Sequence, residues 1–384
     1  MLLRLAAVLV LAGCVVSVVY LVFALALLRA FARRGDDPDP HCPPASILKP
    51  LCGPEARLYD NLRSFCEQDY PLFQVVFGIR DPMDPAVAVV ERLIRDLPHR
   101  DLALVVNDRL IGANHKVSNL ANMYEVAKYE RLVIADSDMR VGPTYLATVL
   151  GPLRDPSVGV VTCLYSGRSV GGLWSALGAM FVQEWFLPSV LVGRVLRPDR
   201  FCFGATMAVR RESLEAVGGF PALAGYLADD YVLGELLNRR RLRVWLSSYV
   251  VENTVAEPAL TRLFWHELRW ARTIRTVQPV GHALSFVTHA VVLAGLYLLL
   301  SSASLMSAGV LAAALALRMR MHYAVRAQLD IREPACPWLV PLRDGLCFVV
   351  WVTSFCGRTV RWGEETFSVT TDGRLLAHGR SRGC

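Results

Sequence analysis

Hydrophobic and polar positions divide the start of the chain sharply: residues 5–28 carry no charge, and Arg29, Arg33 and Arg34 follow at once. About 20 apolar residues cross the hydrocarbon core as a helix, so this run predicts a transmembrane anchor. A cleaved signal peptide would carry small residues at its end where this chain carries arginines. Positive charge after a span also predicts that the following segment is cytosolic. Past a polar, proline-containing linker, short apolar runs at 46–50, 73–79, 102–106 and 131–135 read as buried strands. Between them, residues 85–97 set Val87, Val90, Ile94 and Leu97 at helical spacing, and 116–128 reads as a further helix. Strands alternating with helices predict an α/β domain with a largely parallel sheet.

The pattern then loosens. A strand is expected at 158–164 and an apolar, aromatic stretch in contact with the membrane at 173–191. Residues 283–300 and 303–317 read as a membrane hairpin, with Arg318, Arg320, Arg326 and Arg332 marking a return to the cytoplasm. A third apolar run, 338–356, encloses Arg343 and Asp344, which are costly in lipid, and is expected to be re-entrant, interfacial or a third span. The expected division is an N-terminal transmembrane anchor (1–34), a cytosolic α/β domain (35–278), a C-terminal membrane region (279–357) and a polar, Arg-rich tail (358–384).

Composition agrees with one polar domain set among spans: 54% of the 384 residues are hydrophobic, and the mean hydropathy is +0.37. The net charge of +7 raises the question of nucleic acid, but the arginines gather beside the apolar segments, where anionic headgroups attract them. The membrane surface is the expected partner, and no nucleic acid is. The ten cysteines are scattered without a CxxC spacing, as reduced thiols with no disulfide or zinc duty are. Lysine occurs only at 49, 116 and 128, and this bias toward arginine suggests a GC-rich bacterial genome.

Ligands of open α/β sheets bind beyond the carboxyl ends of the strands, where Asp81, Asp84, Asp136 and Asp138 fall. Asp136-Ser-Asp138 has the form of the Asp-X-Asp pairs that hold a divalent ion against a nucleotide sugar, with oxygen ligands suited to Mg²⁺ or Mn²⁺. A surface turn or helix cap accounts for the same triplet. Asp84, before Pro85, is equally explained as an N-cap, and Asp81 as part of a turn. Asp229 and Asp230 open a predicted helix through Leu233, Leu236 and Leu237, where helix-dipole capping competes with a general-base role. His266, Arg269 and Trp270 lie on an arginine-rich amphipathic helix that suits a membrane interface. Arg269 on that helix also has the planar guanidinium that matches a diphosphate.

Taken in order, these pieces resemble the ceramide glucosyltransferase family of inverting GT-A lipid glycosyltransferases over roughly residues 46–275. The resemblance rests on successive blocks: SILKPLCG (46–53), DPA (84–86), IGANHKVSN (111–119), YEVAKY (124–129), ADS (135–137) and DDY (229–231). It implies a GT-A (Rossmann-like) domain with transmembrane helices at both ends. Asp84, Lys116 and Asp136 would meet the nucleotide-sugar donor, Asp136 would hold the metal, and Asp230 would be the base. Arg269 and Trp270 match the end of the family's (Q/R)xxRW signature. His266 replaces the Gln or Arg there, so the contact that residue makes is in question. Asp138 is not required by the family pattern and stands as a secondary metal ligand.

The resemblance further implies a UDP-sugar as co-substrate, Mg²⁺ or Mn²⁺, and a lipid acceptor. Bacterial relatives that glycosylate hopanoids in hopanoid biosynthesis are the nearest match, with N-acetylglucosamine as the sugar. Glucosylation of ceramide is the alternative, and a membrane metal-dependent phosphoryl- or nucleotidyltransferase is the rival outside glycosyl transfer. The expected location is a multi-pass protein of the bacterial cytoplasmic (inner) membrane.

Overall fold

The computed structural model describes residues 1–362 and 365–377. The described residues form two compact units, one of Met1–Arg34, Gly167–Leu196 and Glu257–Arg358, the other of Gly35–Ser166, Arg197–Ala256 and the described residues among 359–377. Residues 167–196 and 257–278, expected within the α/β domain, therefore cluster with the terminal apolar helices. They are apolar or amphipathic and have the same kind of surface to bury.

The second unit is built on an eight-stranded sheet of β1 (Ala45–Pro50), β2 (Phe73–Ile79), β3 (Asp101–Val106), β4 (Arg131–Ile134), β5 (Met139–Arg140), β6 (Val158–Ser169), β7 (Met207–Arg210) and β8 (Arg243–Val255). Their order is β3-β2-β1-β4-β7-β6-β8-β5. The first four pair in parallel, while β7 runs antiparallel to β4 and β6. Strands β1 and β2 are buried at every residue, which is why they read as largely apolar runs rather than as alternating ones. Successive side chains still point to opposite faces. Ile47, Val75 and Val133 join one core cluster, and Leu48, Val76 and Ile134 the other.

Two helices position the polar groups above this sheet. The helix Ala86–Asp96 follows β2 as expected. The helix His115–Tyr124 is capped by Asn114, whose Oδ1 accepts from Val117 N at 3.1 Å. It lies so close to β2 that a Cβ at Gly78 would collide with the side chains of Asn119 and Met123. Asn119 donates to the Gly78 carbonyl at 2.8 Å. The helix stops four residues before the expected Lys128 because the chain turns there, with Val126 N donating to Met123 O. Lys128 N then donates to Gln74 Oε1 at 3.1 Å.

The stretch read as a polar tail contains a three-stranded antiparallel sheet, β9 (Thr359–Trp362), β10 (Glu365–Val369) and β11 (Leu375–Ala377). Val360, Phe367, Val369 and Leu375 bury a small core around Leu227. Backbone bonds from Leu227 N to Gly373 O (3.1 Å) and from Leu375 N to Gly225 O (2.9 Å) fasten it to the segment that leads into Asp229.

In the first unit, Leu2–Ala32 and Leu173–Leu196 are long and apolar enough to cross a membrane. The second of these passes through a π-helical turn at Val182–Phe186. The expected hairpin is bent: Pro279–Thr288 and Ala290–Leu300 meet at 63° and together form one further candidate span. The partner helix, Leu305–Gln328, runs eleven residues beyond the expected end at 317 and carries Arg318 and His322 into the interior. The third apolar run becomes the 15-residue helix Val340–Ser354, short for a span. Its two charges are buried in pairs, Arg343 bidentate on Glu267 (2.7 and 2.6 Å) and Asp344 on Arg318 (2.7 and 2.9 Å). Pairing is what allows such charges to be buried at all.

Candidate active site

Asp136, at the carboxyl end of β4, and Asp229 and Asp230, at the start of the helix Asp229–Arg239, converge on one lysine and one glycine. Asp136 follows β4, and its Oδ1 lies 2.6 Å from Lys116 Nζ, which also stands 3.7 Å from Asp229 Oδ2. Asn114, the cap of the Lys116 helix, donates to Asp229 Oδ1 at 3.3 Å and to Tyr226 O at 2.8 Å, which ties that helix to the one beginning at Asp229. Asp230 accepts from Gly204 N at 2.8 Å and from Tyr231 N at 2.7 Å.

Gly204 is the centre of the arrangement. A Cβ there would lie 3.0 Å from Asp136 Oδ2, 3.0 Å from Lys116 Nζ and 3.5 Å from Asp230 Oδ2. The missing side chain lets two carboxylate oxygens and an ammonium group close in around the glycine as a tight cradle.

Electrostatics separates the members of this cluster. Burial opposes the charge on Lys116, but Asp136 and Asp229 outweigh it and hold the ammonium well above its ordinary range. Burial, then the neighbouring Asp229, push the Asp230 carboxyl up to about 6, against the pull of Lys116. Asp229 is raised as well, chiefly by burial. A carboxyl raised to about 6 is a stronger base than an ordinary aspartate and is still mostly ionised at neutral pH, which suits proton acceptance.

On the other side of Asp136, Lys49 of β1 donates to the Asp136 carbonyl, and burial lowers its ammonium to about 7. Ser137 donates to Glu55 Oε1 at 2.6 Å. The Glu55 carboxyl is pushed up to about 7 by burial and then by Asp138. Asp138 itself accepts from Asn253 Nδ2 at 2.7 Å, beside the pairing of β5 with β8.

Asp84 directs both oxygens to backbone donors, Oδ1 to Ala86 N (2.8 Å) and Oδ2 to Gly53 N (2.7 Å). It therefore accepts from the first residue of the helix Ala86–Asp96 from one position before the N-cap, Pro85, and also holds the loop after β1. Asp81 accepts from Met83 N at 2.8 Å in a turn.

Among the described residues, no three His, Cys, Asp or Glu side chains are grouped to hold a metal ion. A hard divalent cation in a nucleotide site needs only one or two carboxylates, with substrate phosphates and water filling the rest. Beside Gly204, Asp136 Oδ2 and Asp230 Oδ2 supply carboxylate oxygens of the kind such an ion takes, and the Lys116 ammonium on the same border supplies positive charge of its own.

His266, Arg269 and Trp270 lie on the helix Leu260–Val277 of the first unit. His266 Nδ1 is 2.7 Å from Glu257 Oε1. Its ring packs on Trp270 (centroids 4.2 Å), which stacks on Phe181 at 5.6 Å. Glu267, between them in sequence, is buried on Arg343.

Sequence reasoning missed Gly204, Lys49, Glu55 and Glu257. Lys49 carries a usable signal as one of three lysines and the only charge inside a fully apolar strand. Glu55 and Glu257 carry none, because their neighbours come from distant segments. Gly204 precedes a strand, a position that often marks close approach to a ligand or another backbone.

A family model described as glycosyl transferase family 21 matches residues 9–375. Ceramide glucosyltransferase 1 of Caenorhabditis elegans is 27% identical over 276 residues, covering 71% of this chain and 59% of that protein. The ceramide glucosyltransferase of Komagataella phaffii is 33% identical over 120 residues, 30% of this chain and 24% of the other. The chain thus spans about three fifths of the worm relative's length. Among solved structures, the mannosyltransferase PcManGT from Pyrobaculum calidifontis, in complex with GDP-Man and Mn²⁺, aligns with a TM-score of 0.56 at 21% identity, covering 92% of this chain and 99% of that one. That likeness is one of fold, the GT-A fold.

Proposed function

The chain belongs to glycosyl transferase family 21, the ceramide glucosyltransferase family, and from that premise we propose that it transfers a sugar with inversion from a UDP-sugar to a hydroxyl of a membrane lipid. The convergence of Lys116, Asp136 and Asp230 around Gly204 is the observation that carries the reading. A nucleotide diphosphate needs positive charge and a cation ligand beside it, and an attacking hydroxyl needs a base.

In this reading Asp230 accepts the proton of the acceptor hydroxyl as oxygen attacks the anomeric carbon and UDP departs from the opposite face. Lys116 binds diphosphate charge through its Nζ and orients Asp136. Asp84 holds the loop after β1 at the nucleotide. Mg²⁺ or Mn²⁺, bound through Asp136 with Asp138 as a secondary ligand, would offset the charge growing on the leaving diphosphate. Arg269 and Trp270 serve the diphosphate and sugar by their match to the family signature. His266, held by Glu257, replaces the Gln or Arg of that signature as a hydrogen-bonding group.

The proposed acceptor is a hopanoid and the sugar N-acetylglucosamine. The His-containing HxxRW variant and the arginine-rich composition support this choice. The relatives' names favour a second reading, UDP-glucose and ceramide. The proposed setting is the bacterial cytoplasmic membrane, crossed more than once, with the α/β unit of residues 35–166 and 197–256 on the cytosolic side.

The test incubates the purified full chain in vesicles with labelled UDP-N-acetylglucosamine or UDP-glucose, Mn²⁺, and a polyol hopanoid or ceramide. Labelled lipid with release of UDP is expected. No transfer to either lipid would overturn the reading.

A further inference from the structure

The helix Asp229–Arg239 begins without a cap of its own, since its N-cap residue is Ala228, whose side chain accepts no hydrogen bond. Residues 224–228 before it lie in no helix or strand, yet Ala224, Leu227 and Ala228 are buried. Neighbours on two sides therefore fix where Asp229 and Asp230 stand. On one side Asn114 N donates to Ala224 O at 2.8 Å, and Asn114 Nδ2 donates to Tyr226 O at 2.8 Å and to Asp229 Oδ1 at 3.3 Å. The sheet β9–β11 stands on the other.

Tyr226 and Arg374 form an antiparallel bridge, with Leu227 N donating to Gly373 O at 3.1 Å and Leu375 N to Gly225 O at 2.9 Å. The segment thus joins the β11 edge of that sheet as a short extra strand. Gly373 has φ +86°, in the left-handed region that favours glycine, and its N closes the turn between β10 and β11 by donating to Thr370 O at 3.1 Å. That turn aims the carbonyl offered to Leu227. Phe367 is 4% exposed, fills the core around Leu227 and meets the His115 ring at 6.3 Å. His115 precedes Lys116 and Leu227 leads into Asp229, so one side chain packs beside the approach to both halves of the site.

We propose that this C-terminal sheet is a clasp that holds the general base Asp230 in register, with Phe367 and Gly373 as its positioning residues. The inference rests on the reading of Asp230 as the base. The two halves of the site depend on the clasp unequally. Lys116 sits on a helix with its own side-chain cap, Asn114, docked on β2 through Asn119 and Gly78, so it keeps its place when the sheet loosens. The uncapped start of the Asp229–Arg239 helix does not. A reacting group misplaced by about 1 Å can cost about 10²-fold in rate, while contacts of Lys116 with a diphosphate persist. Loosening the clasp is therefore read as lost kcat with donor affinity retained.

The test compares the full chain in vesicles with its Phe367→Ala, Phe367→Leu and Gly373→Val variants. Transfer is followed with labelled UDP-N-acetylglucosamine and UDP-glucose, a polyol hopanoid and ceramide, UDP binding by titration calorimetry, and local opening by hydrogen–deuterium exchange. Phe367→Ala opens the core and Gly373→Val strains the turn, so each should speed exchange at residues 224–232 by about tenfold or more, with β2 unchanged as the check on folding. Each should also lower kcat by about tenfold to a hundredfold and leave the Kd for UDP within roughly twofold. Phe367→Leu refills most of the space and should restore most of kcat. Faster exchange at 224–232 with kcat unmoved overturns the proposal, and so does exchange unmoved in both disruptive variants. UDP affinity falling in step with kcat overturns it as well, since the whole site would then have been lost. In those three cases the parent still transfers sugar and the proposed reaction stands, whereas a parent that transfers to neither lipid removes the reaction and the positioning role together.

Discussion

Lys116 Nζ lies 2.6 Å from Asp136 Oδ1, so the carboxylate after β4 already has a cation beside it. Asp229 Oδ2, 3.7 Å from the same ammonium, makes Lys116 the counter-charge of two acids. Lys116→Met should leave both acids facing each other with little water. Removing one partner of a largely buried pair costs about 3–5 kcal/mol, reduced here because Asp136 is one-third exposed. A fall in Tm and a loss of UDP affinity are expected, and an unchanged Tm would deny Lys116 its bridging role.

Asp230→Asn keeps the shape of the site and removes the base. Transfer should fall by about 10²–10⁴-fold while UDP binding, followed by titration calorimetry, holds within roughly twofold of the parent. Loss of nucleotide binding together with activity would refute the assignment.

The raised Asp230 carboxyl sets the sign of a pH effect. Only the ionised form accepts a proton, so kcat/KM should rise with pH and level off above about 6. For stability the sign is opposite. A carboxyl whose folded pKa lies above its unfolded value destabilises the fold increasingly as pH climbs from the unfolded value toward about 6. Asp230→Asn should therefore show a smaller loss of Tm between pH 4 and pH 7 than the parent protein.

Gly204→Ala tests the cradle. The new methyl would stand 3.0 Å from both Asp136 Oδ2 and Lys116 Nζ, closer than a carbon and these atoms normally approach. About tenfold weaker Mn²⁺-dependent UDP binding is expected, with Tm changed by only a few degrees. Unaltered binding would mean that nothing enters the space beside Gly204.

The Arg343–Glu267 pair predicts non-additivity. Arg343→Met or Glu267→Leu alone strands a buried charge and should cost about 3–5 kcal/mol, whereas the double variant should recover most of that loss. Thermal unfolding of the four proteins in one detergent measures the coupling. Additive losses would show that the two residues do not act as a pair.

Local sequence pattern determined much of this protein. Mostly apolar runs located β1, β2 and β4 because a strand buried on both faces has few polar positions, here Ser46, Lys49 and Gln74, each with a hydrogen-bond partner to satisfy it. The uncharged run at the N-terminus marked Leu2–Ala32, and strand ends marked Asp84 and Asp136. Tertiary structure alone decided which of these acids meet. Lys116 and Asp136 are 20 residues apart, and Asp230 reaches Gly204 from a separate helix. The antiparallel entry of β7 beside β4 brings the two groups together. Burial also decided the charges: Asp230 and Lys49 carry the same side chains as any surface Asp or Lys, and desolvation moves them toward neutrality. Likewise, Arg343 and Asp344 read as a defect in an apolar helix until Glu267 and Arg318, dozens of residues away, supplied the opposite charges that make their burial possible.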